Sequence, residues 1–122
     1  GIYVGFITGW QFESFVYVEH FAIDESVRNG GIGAKAMTSF LALHKDPVVL
    51  EVEMPIEKMS KRRIGFYERL GFVLDYHVYF QPPYRKGDVF LEMRLMAHGK
   101  LDLERSFERI KTIIHQNVYG ME

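Results

Sequence analysis

Gly30, Gly31 and Gly33 stand between a β-branched and aromatic run ending at Ile23 and an apolar pattern of helical period beginning at Ile32. The order reads as strand, loop and helix N-terminus. Glycine has no Cβ, so the turn is free to take positive φ and to let a ligand approach the main chain closely. The helix that follows adds unpaired first-turn N–H groups and the positive end of its dipole. Such a socket suits phosphate.

Details narrow the ligand. A Walker-type loop needs Lys and then Ser or Thr after its last glycine, but Gly33 is followed by Ala34-Lys35-Ala36, with no hydroxyl for magnesium. A dinucleotide fingerprint needs Gly-x-Gly-x-x-Gly directly after the strand, whereas Asp24 to Arg28 intervene here and the glycine spacing differs. Glu51 falls about twenty residues downstream, where a ribose-binding acid would stand. One acid at a loose spacing decides little.

Arg28-x-x-Gly31-x-Gly33 resembles the (Gln/Arg)-x-x-Gly-x-(Gly/Ala) signature of the GNAT superfamily of acyl-CoA-dependent N-acyltransferases. A second segment, Ser60-Lys61-Arg62-Arg63-Ile64-Gly65-Phe66-Tyr67-Glu68-Arg69-Leu70-Gly71-Phe72, is similar to the family's later helix motif, Asn-x-x-Ala-x-x-Phe-Tyr-x-x-x-Gly-Phe. The two lie in the family's order, and the likeness runs from residue 2 to residue 97. It implies acetyl-CoA as cosubstrate and no metal. The main chain of Arg28, Asn29, Gly30, Gly31, Ile32, Gly33 and Ala34 would hold the pyrophosphate of coenzyme A, and Phe21, Ala22 and Ile23 would contact its pantetheine arm. Ser60 and Tyr67 would also meet the coenzyme, with the Tyr67 hydroxyl near its sulfur. Ser60 replaces the usual Asn and Arg63 the usual Ala, so one side-chain contact is altered or lost. Arg62 and Arg63 could meet the adenosine phosphate, although exposed basic residues are usually just solvated.

Acyl transfer from a thioester to an amine needs the amine neutral, the carbonyl oxygen stabilised and the departing thiolate protonated. Free amines near pKa ~10 are mostly charged at neutral pH, so a base is useful. Glu19 is the candidate, because the family often places a carboxylate near this strand. By alternation it shares a face with Tyr17 and Phe21, while His20 and Ala22 face the other way. Glu51 and Glu53 stand in reserve on the next strand. Tyr67, as a phenol near pKa ~10, can donate toward a thiolate whose acid is near ~8.5. The plainer alternatives are a hydrogen-bonded strand carboxylate at Glu19 and a packed aromatic beside Phe66 at Tyr67.

The expected activity is N-acetyl transfer to a primary amine of a small molecule or protein. The alternatives are a non-catalytic acyl-CoA sensor with the same fold and a generic phosphate binder. The Phe66-Tyr67 motif argues against the latter, since a bare phosphate site has no need of it.

Composition agrees with one ordinary globular domain: of 122 residues, 48% are hydrophobic and 25% charged. Without cysteine there is no disulfide framework and no thiol catalysis, and the histidines at 20, 44, 77, 98 and 115 lack ligand spacing. No apolar run is long enough for a membrane helix and no signal-peptide order is present, so a cytoplasmic protein is expected. A net charge of −1 gives no general attraction to nucleic acid or anionic lipid.

These residues need an α/β framework, a central mixed sheet flanked by helices in the GNAT manner. The pattern predicts strands over 2–10 and 15–23 joined by a polar turn, a helix over 32–44 and a strand over 48–54, parallel to the one before. A helix over 61–70 follows, with Ser60 as its N-cap and Gly71 as its stop. Strands over 72–80 and 89–97 are joined by Gln81 to Asp88, a rigid hairpin connection or an acceptor-side rim. The chain closes with an amphipathic helix over 102–119. Packing on its own sheet is its expected role, and a homodimer contact is the second reading. The resemblance implies that a complete domain carries a strand, two helices and another strand ahead of Ile2, usually one wall of the acceptor site. Residues 1–97 are therefore expected to be an N-terminally incomplete GNAT domain, with 98–122 a helix of the same domain.

Overall fold

The computed structural model describes residues 5–23 and 31–121. Its elements are β1 (Gly5–Gln11), β2 (Val16–Ile23), α1 (Ile32–Leu43), β3 (Val48–Glu53), α2 (Lys58–Arg69), β4 (Val73–Leu74), β5 (Tyr79–Gln81), β6 (Leu91–His98) and α3 (Leu103–Asn117). β1 and β2 form an antiparallel hairpin, closed where Phe12 N–H donates to the Phe15 carbonyl at 2.9 Å. β2 lies parallel to β3 with α1 between them in sequence, and β3 is antiparallel to β6. The strand order is β1-β2-β3-β6-β4, and β5 also pairs with β6.

Period-two alternation sends opposite halves of each strand into two cores. Val16, Val18, Val48, Leu50, Val52 and Met96 point to the layer of α1 and α2, where Met37, Ile64 and Tyr67 meet them. Tyr17, Val49, Leu95 and Ala97 point the other way, to Leu103, Phe107, Ile110 and Ile114 of α3. Full burial of such a side chain contributes about 1.5–3 kcal/mol. This sheet face therefore depends on α3, whose apolar stripe it takes up as the periodicity predicts. Asp102 caps α3, its side chain accepting from Glu104 N–H at 3.0 Å. No described helix is long and apolar enough to cross a membrane.

Two expectations are corrected. α2 begins at Lys58, so Ser60 lies within its first turn and is not the N-cap. Glu57 takes that position without a side-chain bond, and the buried Ser60 hydroxyl donates instead to Glu53 Oε2 at 3.2 Å. The strand over 72–80 is broken in two. Asp75 accepts from its neighbour His77 N–H at 3.1 Å, a local turn that competes with the ladder, and His77 stacks on Phe107 at 4.4 Å.

The end of α2 is closed as the sequence predicts. Phe72 N–H donates to the Tyr67 carbonyl at 3.1 Å and Gly71 N–H to that of Glu68 at 3.0 Å, with Gly71 at φ +98. This is the Schellman arrangement, and its apolar contact is the Tyr67–Phe72 ring pair, 5.4 Å between centroids. The motif that ends the helix also fixes the place of Tyr67.

His115 Nε2, in the last turn of α3, is buried with no hydrogen-bond partner among the described residues. Burial holds the imidazole below its usual pKa, although Glu51 pulls the other way. A histidine kept neutral by folding contributes stability above its unfolded pKa near ~6.5, and that contribution is lost as pH falls below it. The melting temperature is therefore expected to drop between about pH 7.5 and about pH 5.5, and to drop less in His115→Phe, which forfeits no hydrogen bond at Nε2. Thermal melts of both proteins across that range check this.

Candidate active site

β2 and β3 pair over only three positions, Val16↔Val48, Tyr17↔Val49 and Val18↔Leu50. Beyond these, β2 follows β1 out to Ile23 while β3 follows β6 out to Glu53. The strands part, and the sheet opens in its middle with main-chain polar groups facing the gap. The parting starts at a bulge. Thr8 pairs with His20 and Gly9 with Val18, so Glu19 is the extra residue on β2. A bulge bends its strand and increases local twist. Gly9 lies against it so closely that a Cβ there would sit 2.5 Å from the Tyr17 carbonyl oxygen.

The bulge also corrects the predicted facing of side chains. Tyr17 and Glu19 share the α3 side, but Phe21 has moved to the α2 side, its ring 6.2 Å from that of Phe66 and 6.5 Å from that of Tyr67. Strict alternation holds up to Glu19 and fails after it.

On the α1–α2 side, Gly31 precedes α1 in the left-handed region at φ +72, with no atom of a described residue within 4 Å of where its Cβ would be. No described side chain caps this helix, and no acidic residue lies in its first turn, formed by Ile32, Gly33 and Ala34. Such an end can hold an anion. Arg28, Asn29 and Gly30 lie outside the described residues, as do the side chains of Ala22 and Ile23. Tyr67 is buried among Phe21, Phe66 and Phe72 and donates no hydrogen bond to a described residue. Burial raises its pKa, against the lowering effect of Arg63. The facing edges beyond Val18 and Leu50, with this helix end, fit a ligand combining a phosphate group with an amide-bearing arm.

On the α3 side, Glu19 accepts from Trp10 Nε1 at 2.8 Å and from the Tyr84 hydroxyl at 2.7 Å, with His20 Nε2 3.7 Å away. Glu51 accepts from Gln81 Nε2 at 2.8 Å, from the Tyr119 hydroxyl at 2.7 Å and from the Tyr79 hydroxyl. Tyr17 and Tyr119 hydroxyls lie 3.4 Å apart, and the Tyr84 and Tyr119 rings 5.0 Å. Burial, with Glu51 adding to it, pushes Tyr17, Tyr79 and Tyr119 above the usual phenol range. Burial and then Glu19 push Tyr84 up to about 12. All four stay protonated donors at neutral pH.

Of the predicted site residues, the structure brings Glu19, Phe21 and Tyr67 to the opening, Glu19 on one face of the sheet and the two aromatic rings on the other. Glu51, held in reserve, joins Glu19. Ser60 is turned toward Glu53 on β3. The sequence marked the Gln81 to Asp88 loop as a possible rim but not Tyr84 itself, and it did not mark Tyr79 or Tyr119, since the partners of the three lie 65, 28 and 68 residues away. The spacing Tyr17-x-Glu19 with Val49-x-Glu51 was the available signal, and it covers only the sheet's share. A cavity of about 640 Å³ lies elsewhere, at the β4 edge between Asp75, His77 and the start of α3, with β3 and β6 separating it from the opening.

The sequence pattern of the acetyltransferase (GNAT) domain matches residues 1–74. A solved structure from Bacteroides thetaiotaomicron, assigned to the GNAT family of acetyltransferases, is 51% identical with a TM-score of 0.95, over 98% of this chain and 68% of that one. The chain belongs to the GNAT family. It is an acyltransferase by that membership, with the mixed sheet and flanking helices of the family fold. Ard1 from Thermoplasma volcanium is 29% identical with a TM-score of 0.59, over 81% of this GNAT chain and 64% of its own. A GNAT acetyltransferase from Elizabethkingia anophelis, solved with acetyl-CoA bound, shares the fold at 15% identity and a TM-score of 0.59, over 78% of this chain and 67% of that one. No curated protein matches the chain.

Gly9→Ala is expected to cost about 1–3 kcal/mol, because the new methyl must displace main chain at the bulge. Glu51→Leu leaves the donors on Tyr79, Tyr119 and Gln81 without their acceptor and is expected to cost about 2 kcal/mol or more. Denaturant melts of both variants measure these losses.

Proposed function

We propose that this GNAT chain transfers an acetyl group from acetyl-CoA to a primary amine by direct attack. The observation that supports this best is the opening between β2 and β3, with a carboxylate on one face of the sheet and a tyrosine on the other. Bound acetyl-CoA supplies an activated thioester carbonyl. The main-chain N–H groups of Arg28 to Ala34, with the dipole of α1, bind its pyrophosphate. The free β2 edge at Phe21, Ala22 and Ile23 orients its arm. Ser60 contributes by tying α2 to β3 through Glu53.

Glu19 takes the proton from the attacking amine, directly or through a water. Its two neutral donors fix its aim and leave its charge in place. Tyr67 serves the departing sulfur. Since burial raises its pKa, moving its proton to a thiolate is more uphill than for a free phenol, so its main contribution is a hydrogen bond that stabilises the developing charge. Both small-molecule and protein amines fit this scheme.

A second reading, an acyl-CoA-binding regulatory module, has one observation in its favour: Glu19 accepts two hydrogen bonds, as a structural carboxylate would. Calorimetric titration with acetyl-CoA and with CoA, followed by an acetylation assay, separates the two. Saturable binding that Gly31→Arg abolishes and Tyr67→Phe keeps is expected, together with a fall in kcat of roughly 100-fold in Tyr67→Phe and in Glu19→Gln. Binding with no turnover over a broad amine panel would favour the regulatory module. A folded chain that binds neither ligand would remove both readings.

A further inference from the structure

We propose that the acceptor is a small aliphatic diamine, held between Glu19 and Glu51 in a box walled by Trp10, Tyr84 and Tyr119. This deepens the transferase reading and rests on it. The two glutamates stand on facing lips of the opening, on the same side of the sheet, and Glu19 is only 17% exposed. Among the described residues every donor that meets them is neutral apart from the exposed His20 beside Glu19. Among the described residues no Lys or Arg pairs with either. Neutral donors stabilise a carboxylate without cancelling its charge, so the described residues that bond the two glutamates leave both anionic.

That combination selects for cations. Trp10 and Tyr84 meet Glu19, and Tyr119 meets Glu51, by the N–H or O–H at the ring edge, so the carboxylates are the groups that draw an ammonium. An ammonium N–H also bonds a carboxylate roughly twice as strongly as a neutral hydroxyl does. An entering amine can therefore take the place of the Tyr84 hydroxyl on Glu19, and Tyr84 can swing away because its loop, from Pro83 to Phe90, is largely exposed. Tyr84 and Tyr119 each tie one lip to a different element, the β5–β6 loop and the segment after α3.

Two carboxylates call for two positive centres. One amino group loses a proton to Glu19 and attacks the thioester carbonyl, the C–N bond forming and the C–S bond breaking; the thiolate leaves hydrogen-bonded by Tyr67, and the further proton that the nitrogen sheds on becoming an amide passes through water to the sulfur, giving free CoA thiol. The other amino group stays charged and is held at Glu51. A monoamine leaves Glu51 unmatched. An amino acid would bring a third carboxylate against two.

The single tryptophan of the chain, Trp10, donates its indole N–H to Glu19, so its fluorescence reports on the box. The test titrates CoA-saturated protein with 1,4-diaminobutane, butylamine and 4-aminobutanoate, following Trp10 emission, and repeats it with Glu51→Gln. Expected are saturable binding of the diamine at least tenfold tighter than butylamine, weaker still for 4-aminobutanoate, and loss of that tenfold preference in Glu51→Gln with CoA affinity unchanged by calorimetry. Equal binding of diamine and monoamine, or a preference that survives Glu51→Gln, would overturn the proposal while leaving the transferase reading intact. Failure of CoA to bind the folded parent chain would remove the transferase reading and this proposal with it. The comparison among ligands on the parent chain needs no variant, so the preference is decided even if Glu51→Gln does not fold.

Discussion

One inserted residue sets the geometry of this protein. Glu19 has no counterpart on β1, so β2 bends at the point where its pairing with β3 ends. Had the ladder continued, the N–H and C=O groups of both strands would satisfy one another and the sheet would be closed across its middle. With the bulge, each half of the sheet keeps its own outer partner and the opening costs no outer ladder. The close approach of Gly9 to the Tyr17 carbonyl is the local condition for that arrangement.

Because the opening passes through the sheet, its two faces can be furnished independently. One face receives the start of α1, led by Gly31 in the left-handed region, and the aromatic cluster of Phe21, Phe66, Tyr67 and Phe72. The other receives two carboxylates and the tyrosines that bond them. Burial acts in the same direction on both faces, raising the phenol pKa values and keeping these hydroxyls as donors. The α3 face is where this chain adds to the motif-bearing part of the fold. The segment after α3 carries Tyr119 onto Glu51, so the helix that fills the core also furnishes the site.

Local competition explains the departures from the expected elements. Asp75 still gives its N–H to the Leu95 carbonyl on β6, but its carboxylate takes the His77 N–H in a local turn, and one strand is broken there into β4 and β5. Ser60 gives its hydroxyl to Glu53, and α2 starts earlier than a serine cap would allow. In each case a side chain within a few residues or on the adjacent strand offered a better bond than the generic pattern assumed.

The sequence by itself determined the order of elements, the family, the glycine-led start of α1 and the position of Tyr67 at the end of α2. All of these are written in short-range terms: periodicity, turn residues, and motifs spanning a dozen residues or so. It also placed Glu19 and Tyr17 on one face, since alternation needs only neighbours. Only the tertiary structure decided that Phe21 would turn to the opposite face, because a bulge depends on register against another strand. Only it decided that Tyr79, Tyr84 and Tyr119 would converge on Glu19 and Glu51. Hydrogen bonds between residues 28 to 68 positions apart leave no periodic trace along the chain, and they form only once α3 and the sheet have packed.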